Sequence, residues 1–232
     1  MGNEIAQLSD TDIAWTAIRA RGPQAESFLQ GQLSQDVTAL KASGSWALVL
    51  SPDSAVLSTC FVQRDGDDFT LLVPRSLGDA VSQRLRRFKI RVDCTLEVGD
   101  ATGGPYSSVA TMVDARWPGE HEFAAQLTPQ SFGSHFVTST VSFTKGCYTG
   151  QELVSRLDAR GSSVPWRFVH VLGPSVERLN DVLRSKGHSG PAGVTTAVQV
   201  KQEVRGLGFA HRSLLGPGGL DAFDDVSIEE VP

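Results

Sequence analysis

Three strand-like segments between residues 46 and 73 constrain the fold of this chain more than any other feature of its sequence. Residues 46–50, 55–63 and 69–73 are apolar and rich in β-formers, and the last two are separated only by the turn at 64–68. Connections this short join antiparallel neighbours, because a parallel pair needs a crossover of about a dozen residues or more. The sequence therefore predicts an antiparallel meander.

Two amphipathic helices are predicted around this meander. The first follows Gly22-Pro23, after a strand at 12–20, and the second begins at a capping box formed by Ser76 and Asp79 and ends near Phe88. Their apolar faces consist of Ala25, Phe28, Leu29 and Leu33 in the first helix and of Leu77, Val81, Leu85 and Phe88 in the second.

Residues 90–98 show the strictest alternation in the chain, with an apolar residue at every second position from Ile90 to Val98. A period of two is that of a half-buried strand, so we predict a strand over this whole range. Cys94 then faces the core, and Cys60 does the same in its own strand. Both cysteines are expected to act as small buried hydrophobes.

The C-terminal part is predicted to be rich in β-strands, with strands at 167–172, 193–200, 206–211 and 226–231 and a helix at 174–186 that ends at Gly187. The weakest patterning lies at 99–137. We therefore expect an α+β protein with two linked β-rich lobes, divided into an N-terminal lobe (1–117), a middle segment (118–163) and a C-terminal lobe (164–232).

Composition excludes several classes of function. The 232 residues carry a formal net charge of −5, which argues against a dedicated nucleic-acid binder. The basic residues between Arg84 and Arg91 are expected to complement a helix C-terminus, with contact to a polyanion as the alternative. Three cysteines without a C-x-x-C pair suggest neither disulfides nor a zinc site, and they are too few for a self-contained iron–sulfur cluster.

The N-terminal residues contain no apolar run long enough for a signal peptide or a membrane span. From this pattern we predict a cytoplasmic protein that does not associate with membranes.

The segment FTKGCYTGQE at 143–152 follows neither a strand nor a helix period and concentrates residues that carry chemistry. We expect 141–143 to leave a strand, Gly146 to turn the chain with positive φ, and a helix to begin at Gln151. Cys147 then lies before a helix N-terminus and beside the ammonium of Lys145, which favours the thiolate. The alternative is a glycine-rich turn with Cys147 buried.

This segment, with Val154 and Arg156 after it, closely resembles the signature of the YgfZ family of folate-binding, iron–sulfur-associated proteins, relatives of the glycine-cleavage aminomethyltransferase. The sequence at 21–37, which includes FLQGQLSQD, resembles the N-terminal segment of the family. Residues 71–75, 193–196 and 208–211 are similar to its next strand and to its C-terminal barrel. About two thirds of the chain can be placed on the family pattern.

The resemblance implies a ring-like aminomethyltransferase fold with a C-terminal barrel-like lobe and tetrahydrofolate, or a one-carbon derivative, in a central channel that the cysteine faces. It implies an accessory role toward iron–sulfur client proteins, including those of tRNA modification. By the same resemblance, Cys147 is the functional thiol and Lys145 its electrostatic neighbour. The residues that would shape the folate site or contact the ligand are Gly146, Tyr148, Gly150, Gln151, Glu152 and Arg156.

The chain departs from the family between residues 117 and 128, where much of the middle subdomain is missing and no counterpart of the pterin-anchoring I-E-A-G glutamate is found. Two other functions therefore stay open. One is a folate-dependent one-carbon transferase or diverged enzyme with Cys147 as nucleophile, for which a base is needed. The candidate bases are His121, His135, His170, His188 and His211. The other is an interaction module without a ligand.

Overall fold

The computed structural model describes residues 10–161, 164–220 and 223–232. An N-terminal sheet has the strand order β2-β3-β4-β1-β5. Its strands are β1 (Trp15–Arg21), β2 (Ser45–Leu50), β3 (Val56–Asp65), β4 (Asp68–Pro74) and β5 (Thr95–Asp100). All of its pairings are antiparallel, and β2, β3 and β4 are consecutive neighbours. The predicted meander is therefore confirmed.

A second antiparallel sheet has the order β7-β8-β6-β9. Its strands are β6 (Trp166–Gly173), β7 (Gly193–Val200), β8 (Glu203–His211) and β9 (Ser227–Glu230). Among the described residues β6 and β8 have neighbours on both sides, and β7 and β9 are the edges of the sheet. The sheet is therefore open over this part of the chain, and the predicted barrel-like form of the C-terminal lobe is wrong.

Helices α1 (Ala25–Gln32) and α2 (Arg75–Phe88) pack on one face of the N-terminal sheet, and α7 (Val176–Leu183) packs on the C-terminal sheet. The middle of the chain consists of short helices: α3 (Val109–Asp114), α4 (Glu120–Phe123), a 3-10 helix (Pro129–Phe132), α5 (Ser134–Thr140) and α6 (Gln151–Ala159). The predicted α+β class with antiparallel sheets is confirmed.

The start of α2 and the strand after it differ from the sequence-based predictions. No side chain caps α2, whose N-cap is Pro74, so the predicted Ser76–Asp79 capping box is wrong. The helix ends at Phe88 as expected. Residues 90–94 are not a strand, because the chain bends at Arg91 (φ 57°) and pairs with β1 only from Thr95 onward. Ile90 is consequently 74% exposed, whereas Cys94 and Cys60 are buried as predicted.

One aromatic cluster joins the middle segment to both sheets. Phe132 is fully buried, and its ring contacts those of Phe168 and Phe209 in the C-terminal sheet, with centroid distances of 5.7 and 5.6 Å. Trp117 packs on Trp46 of β2 at 4.6 Å. Each fully buried large side chain of this kind stabilises the fold by about 1.5–3 kcal/mol. The core thus crosses the predicted boundary at 117. The three-part division stays a prediction, and its second boundary at 163 lies outside the described residues.

Candidate functional site

The loop between α5 and α6 carries the motif and is fixed to the N-terminal lobe. It leaves the end of helix α5, not the end of a strand as predicted. The backbone N–H of Ser142 donates to the carbonyl of Ser34 (3.0 Å), and that of Thr149 donates to the carbonyl of Gly31 (3.1 Å). The hydroxyl of Ser34 also donates to the carbonyl of Thr140 (2.6 Å). One end of the loop is therefore tied to the segment that follows α1 and the other to the last turn of α1 itself.

Lys145 is the central anchor of this loop. Its ammonium donates to the carbonyl oxygens of Gln30, Leu33 and Gln35 at 2.6, 2.6 and 3.0 Å. Carbonyls in the last turn of a helix lack intrahelical partners, and α1 has no basic residue of its own there. Burial lowers the pKa of Lys145 to about 8, an effect that the charge of Asp36 opposes. Its three hydrogen bonds show that Lys145 positions the loop, which the sequence did not predict.

Gly150, and not Gly146, is the motif glycine with positive φ. Gly146 does not adopt positive φ, and a Cβ built on it would meet no atom within 4 Å. Gly150 has φ 83° and is the N-cap of α6. A Cβ on Gly150 would lie 2.4 Å from the carbonyl oxygen of Ser51 and 2.8 Å from Cβ of Leu50. The positive φ predicted for Gly146 is wrong, and Gly150 is the position that excludes a side chain.

Cys147 is the exposed cysteine of the chain, whereas Cys60 and Cys94 are buried. It lies in the loop three residues before the N-cap of α6, as the sequence predicts. The alternative of a buried Cys147 is therefore wrong. Burial raises the pKa of Cys60 and of Cys94, which keeps both as thiols. The structure thus leaves Cys147 as the accessible sulfur.

A thiol count tests this arrangement directly. Under native conditions, Ellman's reagent is expected to modify one thiol per chain, because the reaction needs an accessible thiolate. The Cys147→Ser variant should show no fast-reacting thiol, and unfolding should release the signals of all three cysteines in the wild type. Two or more fast-reacting thiols in the native wild type would contradict the buried positions of Cys60 and Cys94.

Tyr148 and Gln151 are engaged within the protein. The Tyr148 ring is 8% exposed in the core cluster, and the Lys145 ammonium lies 5.0 Å from its centroid. Burial raises the pKa of Tyr148 to about 12, and its buried hydroxyl has no hydrogen-bond partner among the described residues. The Oε1 of Gln151 accepts from the backbone N–H of Tyr148 at 3.2 Å. Ligand contact by either residue stays a prediction.

Glu152 and Arg156 form an ion pair one turn apart on the surface of α6. The carboxylate and guanidinium are 2.6 Å apart, and the side chains are 85% and 52% exposed. An exposed pair of this kind contributes about 0.3–0.5 kcal/mol. The structure therefore shows a solvated helix face, and the predicted roles of both residues in binding folate stay predictions.

A cavity of about 400 Å³ opens where the N-terminal sheet, the middle helices and β7 meet. Its walls include Asp12, Arg75, Met112, His121 and Thr196. Main-chain segments from all three predicted parts of the chain contribute to it. Cys147 does not line this cavity, so the thiol and the cavity are separate features of the structure.

Glu122 lies beside this cavity and was missed in the sequence. Its side chain is fully buried and accepts hydrogen bonds from the backbone N–H of Gly119 (2.7 Å) and from the hydroxyls of Thr195 (2.5 Å) and Thr196 (2.7 Å). These donors satisfy both carboxylate oxygens, as a buried charge requires. The Gly-x-x-Glu spacing was the available signal. Glu122 fastens the shortened middle segment to β7.

A second cavity of about 340 Å³ adjoins the motif loop through Phe143, which is 43% exposed. Its wall also includes Asp158 at the end of α6 and the buried Gln130, whose Nε2 donates to the carbonyl of Val154 (2.9 Å). Cys147 is not among the residues that line this cavity. The motif therefore presents both an exposed thiol and an exposed aromatic ring.

Similarity to known proteins agrees with this architecture. The chain is 24% identical over 211 residues to the iron–sulfur cluster assembly factor IBA57 homologue, mitochondrial, of Pyricularia oryzae. Its fold matches the crystal structure of the glycine cleavage system aminomethyltransferase T from Bartonella henselae, with a TM-score of 0.54 and 13% identity over 94% of this chain and 82% of the other. No protein-family model matches the sequence.

The chain has the fold of the aminomethyltransferases and is similar in sequence to the Pyricularia relative. The matched region covers 63% of this chain and spans about half (54%) of the length of the Pyricularia relative. The structural match confirms the aminomethyltransferase fold expected from the resemblance of the motif, although the C-terminal sheet of this chain is open.

Two further findings concern only the part of the chain that the structure describes. Among residues 10–161, 164–220 and 223–232, no helix is both long and apolar enough to cross a membrane. Within the same ranges, no group of three or more His, Cys, Asp or Glu side chains is arranged to hold a metal ion.

Proposed function

We propose that this chain is a folate-binding accessory protein that supports the assembly or repair of iron–sulfur proteins, with Cys147 as its functional thiol. The observation that carries the proposal is the exposed sulfur on a loop fixed by Lys145 and Gly150. Such a thiol can meet a protein partner, whereas the two buried cysteines cannot. The name of the Pyricularia relative, an iron–sulfur cluster assembly factor, supports the same role. That relative is mitochondrial, and the cytoplasmic location of this chain stays a prediction.

The cavity at the junction of the three parts fits a folate by size and chemistry. Ligand sites in proteins commonly have volumes of about 300–1,000 Å³, and this cavity of about 400 Å³ lies in that range. Asp12 could accept hydrogen bonds from pterin amino groups, while Arg75 and His121 could bind a glutamate carboxylate. When bound, a reduced folate can carry a one-carbon group and can donate electrons. The residues of the chain would orient it and limit its contact with water.

Calorimetric titration with tetrahydrofolate tests the folate part of the proposal. We expect saturable binding to the wild type and a loss of affinity of at least about tenfold (1.4 kcal/mol) in His121→Trp, because the indole would fill the mouth of the cavity. Lys41→Met, a change on the exposed surface, is the control and should bind normally, whereas Arg156→Gln tests the contact predicted at the motif. Loss of binding in Arg156→Gln alone would move the site to the motif. No saturable binding in the wild type would end the folate proposal.

A maturation assay tests the thiol part separately. The activity of an iron–sulfur enzyme is measured in a host that lacks its own YgfZ-like protein and expresses this chain. Cys147→Ser should restore no activity, whereas Cys94→Ala should restore it because that sulfur is buried. Full activity with Cys147→Ser would exclude the thiol. The folate titration of the same variant shows whether the ligand site survives.

The enzymatic alternative needs a base near Cys147. The structure instead places the His121 ring 3.5 Å from the Glu120 carboxylate and places His188 and His211 against Ser213. A base for Cys147 therefore stays a prediction. The interaction-module alternative is favoured by one observation, the exposed ring of Phe143 beside the second cavity. Client binding that persists in His121→Trp, in the absence of folate, would support it.

A further inference from the structure

Two imidazoles of the C-terminal lobe have no part in the function proposed above. His188 lies in the loop between α7 and β7, and His211 is the last residue of β8. Their ring centroids are 3.6 Å apart, and the ring planes are inclined by 30°. We propose that His188 and His211 form a binding site for a divalent transition-metal ion, with Cu²⁺ preferred over Zn²⁺.

The nitrogens of the two rings converge on one point. The Nε2 of His188 lies 3.1 Å from the Ser213 hydroxyl, and the Nδ1 of His211 lies 2.8 Å from the same oxygen. The backbone N–H of Ser213 also donates to Nδ1 of His211 at 3.3 Å. A nitrogen that accepts a hydrogen bond has its lone pair directed at the donor. The lone pair of His211 Nδ1 therefore points toward Ser213 and can bind a metal ion from that side. An ion bound by both nitrogens would lie on the Ser213 side of the pair, toward which the two nitrogens point, and would replace these hydrogen bonds.

The two rings are held in place by the strand next to β8. Trp166 of β6 is paired with His211 across the sheet, and its ring meets the His211 ring edge-on at a centroid distance of 5.3 Å. The loop that carries His188 also approaches this indole closely, because a Cβ on Gly190 would overlap a Trp166 ring carbon. Trp166 therefore restrains His211 by direct contact and the His188 loop through Gly190, which limits the ordering cost of binding an ion.

One neighbour of the pair opposes the binding of a cation. Arg212 follows His211 in the chain, and its positive charge disfavours any cation nearby. An ion that bound only through charge would therefore be rejected, whereas one that forms strong bonds to imidazole nitrogen would be retained.

The donor set selects the class of metal. Two imidazole nitrogens and one hydroxyl suit Cu²⁺, Ni²⁺ and Zn²⁺, while Ca²⁺ and Mg²⁺ require several carboxylate or carbonyl oxygens. Affinity for nitrogen ligands rises toward Cu²⁺ along the first transition row. The described residues near the pair supply no third imidazole, thiolate or carboxylate to such a group, so water would fill the remaining positions.

Titration of the Cys147→Ser protein with Cu²⁺ and with Zn²⁺ tests the proposal, because this background removes the exposed thiol. The protein carries no added histidine tag. We expect one ion per chain, with tighter binding of Cu²⁺, and an electron paramagnetic resonance spectrum of the Cu²⁺ form that shows coupling to two nitrogens. His188→Gln and His211→Gln should each weaken binding by at least about tenfold. His135→Gln, an exposed histidine in α5, is the matched control and should change nothing.

The proposal would be overturned if the His188→Gln variant, made in the Cys147→Ser background, bound Cu²⁺ as tightly as that background does. A spectrum with coupling to one nitrogen or none would do the same. His188 is exposed in a loop, so its substitution leaves the fold intact and decides the question even if His211→Gln unfolds. Thermal unfolding of each variant without metal checks that point.

Discussion

Replacement of Gly150 by alanine should destabilise the protein by about 3 kcal/mol or more, because strain and overpacking each contribute about 1–3 kcal/mol. The strain arises from φ of 83°, a conformation that a residue with a Cβ rarely adopts. The overpacking arises because the new methyl group would lie 2.4 Å from the carbonyl oxygen of Ser51. Urea unfolding, extrapolated linearly to water, measures the loss.

Gly146→Ala is the matched control four residues away in the same loop. A Cβ there meets no atom within 4 Å and the backbone does not require positive φ, so the change should stay within about 0.5 kcal/mol. Equal losses in the two variants would show that the loop is anchored differently. The comparison also tests which glycine needs positive φ, since the sequence predicted Gly146 and the structure shows Gly150.

Replacement of Lys145 by methionine should cost about 2–3 kcal/mol of unfolding free energy, because each buried acceptor left without its donor costs about 1–3 kcal/mol. Methionine preserves the apolar stem but removes the ammonium that binds the carbonyls of Gln30, Leu33 and Gln35. We also expect faster hydrogen exchange at Thr149, whose N–H donates to Gly31 across the same junction. Urea unfolding and exchange measured by NMR check the two effects.

Lys41→Met is the control for this substitution, since Lys41 is exposed in the connection between α1 and β2. It should change the unfolding free energy by less than about 0.5 kcal/mol. Lys145→Arg should recover only part of the stability, because a planar guanidinium does not match three acceptors arranged around an ammonium. Wild-type stability in Lys145→Met would mean that water satisfies the three carbonyls and that the anchoring role is wrong.

Local periodicity predicted most of the strands and failed where the chain had to change direction. The segments 46–50 and 69–73 became β2 and β4 because short apolar runs rich in β-formers, joined by short connections, pair within one antiparallel sheet. The stricter alternation at 90–98 gave a strand only from Thr95, because α2 ends at Phe88 and a bend at Arg91 must bring the chain back beside β1. Alternation with a period of two shows that a segment favours the strand conformation, but a strand forms only where another strand lies beside it to pair with.

The motif itself could be read from the sequence, but the roles within it could not. A glycine-rich, polar segment before a helical pattern placed Cys147 in a loop before a helix and left open whether it was buried, and the structure shows that it is exposed. Gly146 and Gly150 are indistinguishable by residue type, since only the approach of Ser51 and Leu50 determines which of them excludes a side chain. The sequence predicted Lys145 only as an electrostatic neighbour of the thiol. Its hydrogen bond to the carbonyl of Gln30, 115 positions earlier, could not be predicted from the local sequence.

The sequence by itself determined the antiparallel meander, the burial of Cys60 in its strand and the loop that holds Cys147, because each depends on the chemistry of residues close together in the chain. Tertiary structure alone decided that Lys145 caps α1, that Glu122 binds two threonines of β7, and that a cavity opens between the lobes. The physical reason is that hydrogen bonds and cavities form between surfaces, and the packing of the two sheets determines which surfaces meet.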